Sequence, residues 1–305
     1  MDTKEQIVKK YEALGENPET YLKGLLHSKP INYWDYIEVD TLLSLQKPRT
    51  DFKDETIFIM YHQLTEILLK MMRHELEQIV EEKRISEGFL LTKISRLNRY
   101  TSILITSFDI MKDGMDYDDY NTFRTTLTPA SGFQSAQFRY LELYCTRVEN
   151  LVNAKGKQHL GSIPTIENCF EHIYWKDAGQ NHKTGEKTLT LMQFEKKYMD
   201  DMLTLAKKLE GNTVEDKILR LKDPSPELIE KLREFDHLYN VEWPLVHLRT
   251  AEYYLNSKGE NKAATGGSTW KKYLHPKHQQ RKFFPLLWTE NEKRNWGIKG
   301  DDHSS

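Results

Sequence analysis

Apolar residues recur at three- and four-residue steps along most of the chain, which is the spacing of one helix face. The longest such stretch predicts a helix over residues 54–83, about 30 residues or roughly 45 Å long. Its apolar positions are Ile57, Tyr61, Leu64, Leu68, Met71, Met72, Leu76 and Ile79. Strand-like alternation is nearly absent. The pattern therefore predicts an all-α fold built as a helical bundle.

Helix-start and helix-stop residues divide the rest of the chain. Ser225 and Pro226 form a clear start signal, with serine as the N-cap and proline at the first helical position. That helix is predicted to run to about Val241, to bend or restart at Pro244 and to continue to Asn256. Three further helices are predicted at 88–112, from Ser131 to about 154, and at 191–209.

No composition shift marks a linker, so residues 1–305 are interpreted as one domain. The segment 155–210 is predicted to be a small helical insertion. Its first part, residues 155–190, is irregular because Gly, Pro and Asn interrupt short helical pieces.

Charge and composition limit the classes of partner that the chain is expected to bind. The formal net charge is −2, from 44 basic and 46 acidic residues, so no global field favours nucleic acid or an anionic membrane. No window approaches 18 apolar residues, and the charged start lacks an apolar leader core. Cys145 and Cys169 are isolated and lack metal-binding spacing. We expect a cytoplasmic protein with reduced thiols and with neither a nucleic-acid nor a membrane partner.

The run from Pro129 to Arg139, Pro-Ala-Ser-Gly-Phe-Gln-Ser-Ala-Gln-Phe-Arg, follows neither a helical nor a strand period at its start. Pro129 fixes one φ angle, and Gly132 lets the backbone pass close to a bulky group. The simpler interpretation is a tight connection whose Ser131 caps the next helix. Both interpretations remain open from the residues alone.

Two histidines lie on predicted helices. His62 falls at the edge of the apolar stripe of the 54–83 helix, one turn from Phe58 and from Glu66. The simplest interpretation is a half-buried imidazole hydrogen-bonded to Glu66. His247 lies among large apolar residues, which is typical of a core histidine. The pair could also flank a flat cofactor such as haem within a bundle.

Four motifs appear in register. They are Tyr33–Gln46, Phe58–Glu66, Arg124 with Pro129–Arg139, and His247 with Thr265–Ser268. In this order and spacing the chain resembles the tryptophan 2,3-dioxygenase family over roughly residues 31–275. The resemblance implies a helical bundle that encloses haem b and uses O2 to open the indole of L-tryptophan. The implied product is N-formylkynurenine, which begins tryptophan catabolism by the kynurenine route.

The resemblance implies a role for each matching residue around the haem. His247 would be the axial ligand of the iron, and His62 would lie on the oxygen-binding side near the indole nitrogen. Phe58 would stack in the pocket, while Ser131 and Gly132 would pass over the haem edge.

Substrate and subunit contacts are implied in the same way. Arg124 would pair with the substrate carboxylate, with Tyr120 one turn earlier assisting, and Thr265 would contact the ammonium group. The family forms a homotetramer in which N-terminal segments, here residues 1–45, reach a neighbouring subunit's site. The residues implied in that contact are Tyr33, Tyr36 and Ile37.

The chain departs from the family pattern at several positions. Leu68 replaces a tryptophan, Pro244 replaces an arginine, and Ala264 replaces a glycine after about four extra residues. These changes leave two alternatives to L-tryptophan dioxygenation. One is a haem monooxygenase that acts on another indole, and the other is a non-catalytic haem-binding helical protein.

Overall fold

The computed structural model describes residues 2–161, 164–180, 184–256, 271 and 274–298. Helices dominate these residues, and no strand forms among them; two isolated bridges join Val152 to Ile173 and Gln180 to Lys187. This confirms the all-α class. Within the described ranges, no helix has the length and apolar character needed to cross a membrane. The chain divides into two compact units, residues 1–47 and 48–305.

The first unit contains four short helices, α1 (Thr3–Ala13), α2 (Pro18–His27), α3 (Tyr33–Tyr36) and α4 (Val39–Leu43). Side chains of Asp2, Asn17 and Asn32 cap the first three helices by accepting main-chain N–H bonds. None of the four helices buries a residue. The unit therefore lacks the apolar burial that stabilises most small folds.

The second unit contains the remaining helices. They are α5 (Lys53–Glu81), α6 (Glu87–Thr106), α7 (Phe108–Lys112), α8 (Tyr117–Phe123), α9 (Ala136–Cys145), α10 (Ile166–Glu171), α11 (Leu189–Lys208), α12 (Val214–Leu219), α13 (Pro226–His237), α14 (Trp243–Asn256), α15 (Pro276–Gln279) and α16 (Glu290–Arg294). Short 3-10 turns connect several of them, at 124–127, 132–134, 148–151, 156–158, 174–179 and 285–287. The predicted helices 54–83 and 191–209 agree with α5 and α11 to within two residues.

Helix α5 is the centre of this unit and packs against α6 and α9. Its core face carries side chains that are almost completely buried, namely Leu68, Leu69, Met72, Leu76 and Ile79. Each such side chain stabilises the fold by about 1.5–3 kcal/mol through burial, as an upper estimate. The apolar period read along α5 is therefore what fixes this helix in the bundle.

Two predicted helices are shorter than expected. The predicted 88–112 helix breaks at Ser107, whose hydroxyl donates to the carbonyl of Leu104 at 2.9 Å. The helix expected from Ser131 begins only at residue 136, because Ser131 caps the short 3-10 turn and Ser135 caps α9. It ends at residue 145, since extended Thr146 turns its hydroxyl to the buried Glu215 carboxylate at 2.9 Å.

The predicted bend before Pro244 takes the form of a π-helix, Leu238–Glu242, which joins α13 to α14. In a regular α-helix the proline ring would clash with the carbonyl of Asn240 four residues earlier. The wider π turn relieves this clash. Helix α13 begins at Pro226 with Ser225 as its N-cap, as predicted. Helix α14, which follows the π-helix, contains His247.

Candidate functional site

The two predicted histidines are linked through aromatic side chains of the second unit. The ring of His62, on α5, lies 4.1 Å from the Phe58 ring and 5.3 Å from the Tyr61 ring, measured between centroids. Tyr61 contacts Phe108 at 5.7 Å, and Phe108 contacts His247 at 5.4 Å. A row of aromatic rings thus connects one histidine to the other.

His62 is hydrogen-bonded to its own helix rather than to Glu66. Its Nδ1 lies 2.8 Å from the carbonyl oxygen of Phe58, which is an obligatory acceptor, so we assign the ring proton to Nδ1. Burial lowers the pKa of His62, and the bond to Phe58 only partly opposes this. The imidazole is therefore neutral near pH 7, with Nε2 as a hydrogen-bond acceptor.

The His247 side chain is accessible to solvent, yet the protein around it is dense enough that desolvation, with a smaller contribution from His62, lowers its pKa to about 4. The result is an uncharged imidazole at physiological pH, which is the form that ligates iron.

A second cluster brings together the residues expected to bind a carboxylate. Arg124 follows α8 directly and is buried, with 8% exposure. Burial raises the pKa of Tyr120, and the nearby Arg124 guanidinium partly offsets this rise, so the phenol and the guanidinium are neighbours. The Tyr120 ring is also 5.9 Å from the Phe58 ring. Phe58 therefore links this cluster to His62.

Two residues that no sequence motif predicted hold this cluster. Asn121 accepts a hydrogen bond from Arg124 Nε at 3.2 Å, and it donates to the Tyr117 carbonyl at 3.1 Å. Tyr254, on α14, packs against Tyr120 with ring centroids 4.2 Å apart. No motif marks either residue, although Tyr254 lies seven positions after His247 and so shares its helix face.

The loop that carries Ser131 and Gly132 is held by α11. Thr190 donates its hydroxyl to the Pro129 carbonyl at 2.9 Å, and the Gln134 side chain accepts from the Ser131 N–H at 3.4 Å. A Cβ built on Gly132 would find no atom within 4 Å. Among the described residues, neither Ser131 nor Gly132 makes a hydrogen bond or ring contact with either histidine.

Four predicted residues lie outside the described part of the second unit. Tyr33, Tyr36 and Ile37 lie in the first unit, where each is exposed. Thr265 lies outside the described residues. Across the described ranges, no group of three or more His, Cys, Asp or Glu side chains could hold a metal ion by itself.

Comparison with known proteins gives one consistent result. A family profile described as tryptophan 2,3-dioxygenase matches residues 24–206, more than half of the chain. The chain is 28% identical to the tryptophan 2,3-dioxygenase of Bacillus anthracis over 91% of its length and 99% of that protein. It is 26% identical to that of Ruegeria sp. strain TM1040 over 85% of its length and 91% of that protein. The Anaeromyxobacter sp. strain K enzyme is 38% identical over 38% of this chain and 44% of its own.

Proposed function

Because the chain belongs to the tryptophan 2,3-dioxygenase family and is therefore an oxidoreductase of the dioxygenase class, we propose that it acts on L-tryptophan. In this reaction O2 is inserted across the indole C2–C3 bond to give N-formylkynurenine. The observation that carries the proposal is that neutral His62 is linked through aromatic rings to neutral His247 and through Phe58 to Tyr120, the neighbour of the buried Arg124. This arrangement combines an iron ligand with a site for an amino-acid carboxylate.

Haem b is the cofactor that these residues would hold. The His247 imidazole stays uncharged down to about pH 4, which suits it as the single protein ligand of haem iron. Gly132 suits the haem edge, because its missing Cβ leaves the backbone open to a flat group. When bound, the haem supplies the redox chemistry with O2, while the protein supplies orientation and shielding from water.

The substrate would be held at both ends. A buried guanidinium is the natural bidentate partner of a carboxylate, and Asn121 fixes the Nε edge of Arg124. Tyr120 would add a phenol donor to the same carboxylate. Phe58, which lies between Tyr120 and His62, would stack on the indole. Thr265 would contact the ammonium group.

His62 would orient the indole without removing its proton completely. Its Nε2 is an acceptor when Nδ1 donates to the Phe58 carbonyl, so it can receive the indole N–H. An indole N–H is a far weaker acid than an imidazolium, and burial lowers the pKa of His62 further. A neutral imidazole of this kind therefore positions a proton and is poorly matched to full deprotonation.

A homotetramer would complete the site. Tyr33, Tyr36 and Ile37 are exposed in a unit whose helices bury no residue, and such a segment gains stability by covering another surface. The segment of one subunit would reach the substrate pocket of its neighbour.

Product analysis tests the proposal. The purified haem-loaded protein is incubated with L-tryptophan, a reductant and O2, and the products are separated and weighed by mass spectrometry. The proposal expects a product heavier than tryptophan by both atoms of O2, with the absorption of N-formylkynurenine. A product that gains one oxygen atom supports the monooxygenase alternative, and haem binding without any product supports the non-catalytic one.

A further inference from the structure

Tyr254 lies where the helix of His247 meets the helix of Tyr120. It follows His247 by seven residues on α14, which places it on the same face, two turns and roughly 10.5 Å further along. Its side chain is 2% exposed. One helix face therefore carries both the proposed iron ligand and a fully buried phenol.

The phenol of Tyr254 is fixed at its polar end. Its hydroxyl donates to the carbonyl oxygen of Met111 at 2.5 Å, in the last turn of α7. A buried donor is costly to leave without a partner, so the hydroxyl holds the ring in one position. Helix α14 is thereby tied to the segment that leads into α8.

The ring of Tyr254 packs against α8 through two aromatic contacts. The Tyr120 ring lies 4.2 Å away at an interplanar angle of 48°, and the Tyr117 ring is stacked at 5.8 Å and 17°. Arg124 begins the turn that directly follows this helix. The position of the Tyr254 ring therefore determines where α8 presents its phenol and the guanidinium that follows.

We infer that Tyr254 is a positioning residue for carboxylate recognition, acting through Tyr120 and Arg124 without touching the substrate. The inference rests on the proposed function, in which Tyr120 and Arg124 bind the substrate carboxylate. The inference goes further, because it gives α14 two roles. This helix would carry the iron ligand His247 and would also support the carboxylate site of Tyr120 and Arg124. Selectivity for an anionic substrate then depends on a side chain outside the pocket.

The test compares two indoles that each lack one charged group. Inhibition constants of indole-3-propionate, which keeps the carboxylate, and of tryptamine, which keeps the ammonium, are measured against L-tryptophan turnover by the holoenzyme. Tyr254→Leu is expected to weaken the binding of indole-3-propionate roughly 2- to 12-fold, the range that an aromatic pair contributes, and to leave the inhibition constant of tryptamine unchanged. Tyr254→Phe keeps the ring, so about a threefold weakening of indole-3-propionate alone is expected, and this variant serves if the leucine protein does not fold.

Tyr100→Leu is the matched control, because Tyr100 is a half-buried tyrosine on α6 that makes no ring contact with Tyr117, Tyr120 or Tyr254 among the described residues. Its two inhibition constants should stay at the wild-type values. Equal weakening of both inhibitors by the Tyr254 variants, or no weakening at all, overturns the inference while the proposed function stands. A wild-type enzyme that binds tryptamine as tightly as indole-3-propionate contradicts the carboxylate site itself.

Discussion

Replacement of Arg124 by alanine should remove most of the recognition of L-tryptophan. The guanidinium is 8% exposed, its Nε is held by Asn121 at 3.2 Å, and the Tyr120 phenol is its neighbour. Removing one partner of a buried, hydrogen-bonded charge pair costs about 2–5 kcal/mol. This corresponds to a loss in kcat/KM of roughly 30- to several-thousand-fold.

Steady-state kinetics with L-tryptophan, together with tryptamine inhibition, measures this loss. Arg124→Ala should keep its haem content and its affinity for tryptamine, because tryptamine has no carboxylate for the guanidinium to bind. Lys207→Ala is the control, since that ammonium is 56% exposed and pairs at 2.6 Å with Glu167, which is itself 53% exposed. Exposed pairs contribute about 0–1 kcal/mol, so the control should stay close to wild type. If Arg124→Ala retains full efficiency and the enzyme prefers an indole without a carboxylate, the reasoning is refuted.

Four further outcomes are expected. His247→Ala should lose most haem or regain its spectrum with added imidazole, whereas an unchanged Soret band would identify another ligand such as His237. His62→Ala should keep its haem and retain a measurable but much lower turnover rate. Loss of haem in this variant would mean that His62 is the iron ligand and His247 lies on the oxygen-binding side. Deletion of residues 1–38 should weaken both assembly, measured by light scattering, and substrate affinity, and a fully active monomer would refute this. Burial lowers the pKa of Lys282 to about 8, against an ordinary value of 10.5. Between pH 8 and pH 10.5 the native state therefore binds fewer protons than the unfolded state. The free energy of unfolding rises with pH over this range. Lys282→Met should therefore raise the free energy of unfolding by about 1 kcal/mol at pH 7, and this gain should shrink towards pH 10; a gain independent of pH would contradict the assignment.

The helices could be predicted where one periodic face decides the structure. Helix α5 was expected at 54–83 and spans 53–81, because its apolar stripe packs against α6 and α9. The break at Ser107 and the early end at Thr146 could not be predicted. Each depends on a local hydrogen bond, and for Thr146 its partner Glu215 lies 69 residues away in the sequence.

Within the candidate site, only the residues that belong to sequence motifs could be predicted. His62, Arg124 and His247 were identified by resemblance, but the hydrogen-bond partner of His62 is the Phe58 carbonyl and not Glu66. Asn121 and Tyr254 carry no sequence signal, because their roles arise from contacts between side chains that the fold brings together. Positioning of this kind is a property of packing, so it is visible only in the three-dimensional structure.

The central claim is that both atoms of one O2 molecule enter the indole of L-tryptophan. It is tested most directly by turnover under a mixture of ordinary and isotopically heavy O2, followed by mass analysis of the product. The account predicts product molecules with either two heavy oxygen atoms or none, because both atoms come from the same molecule. Product that carries a single heavy atom from O2 would contradict it.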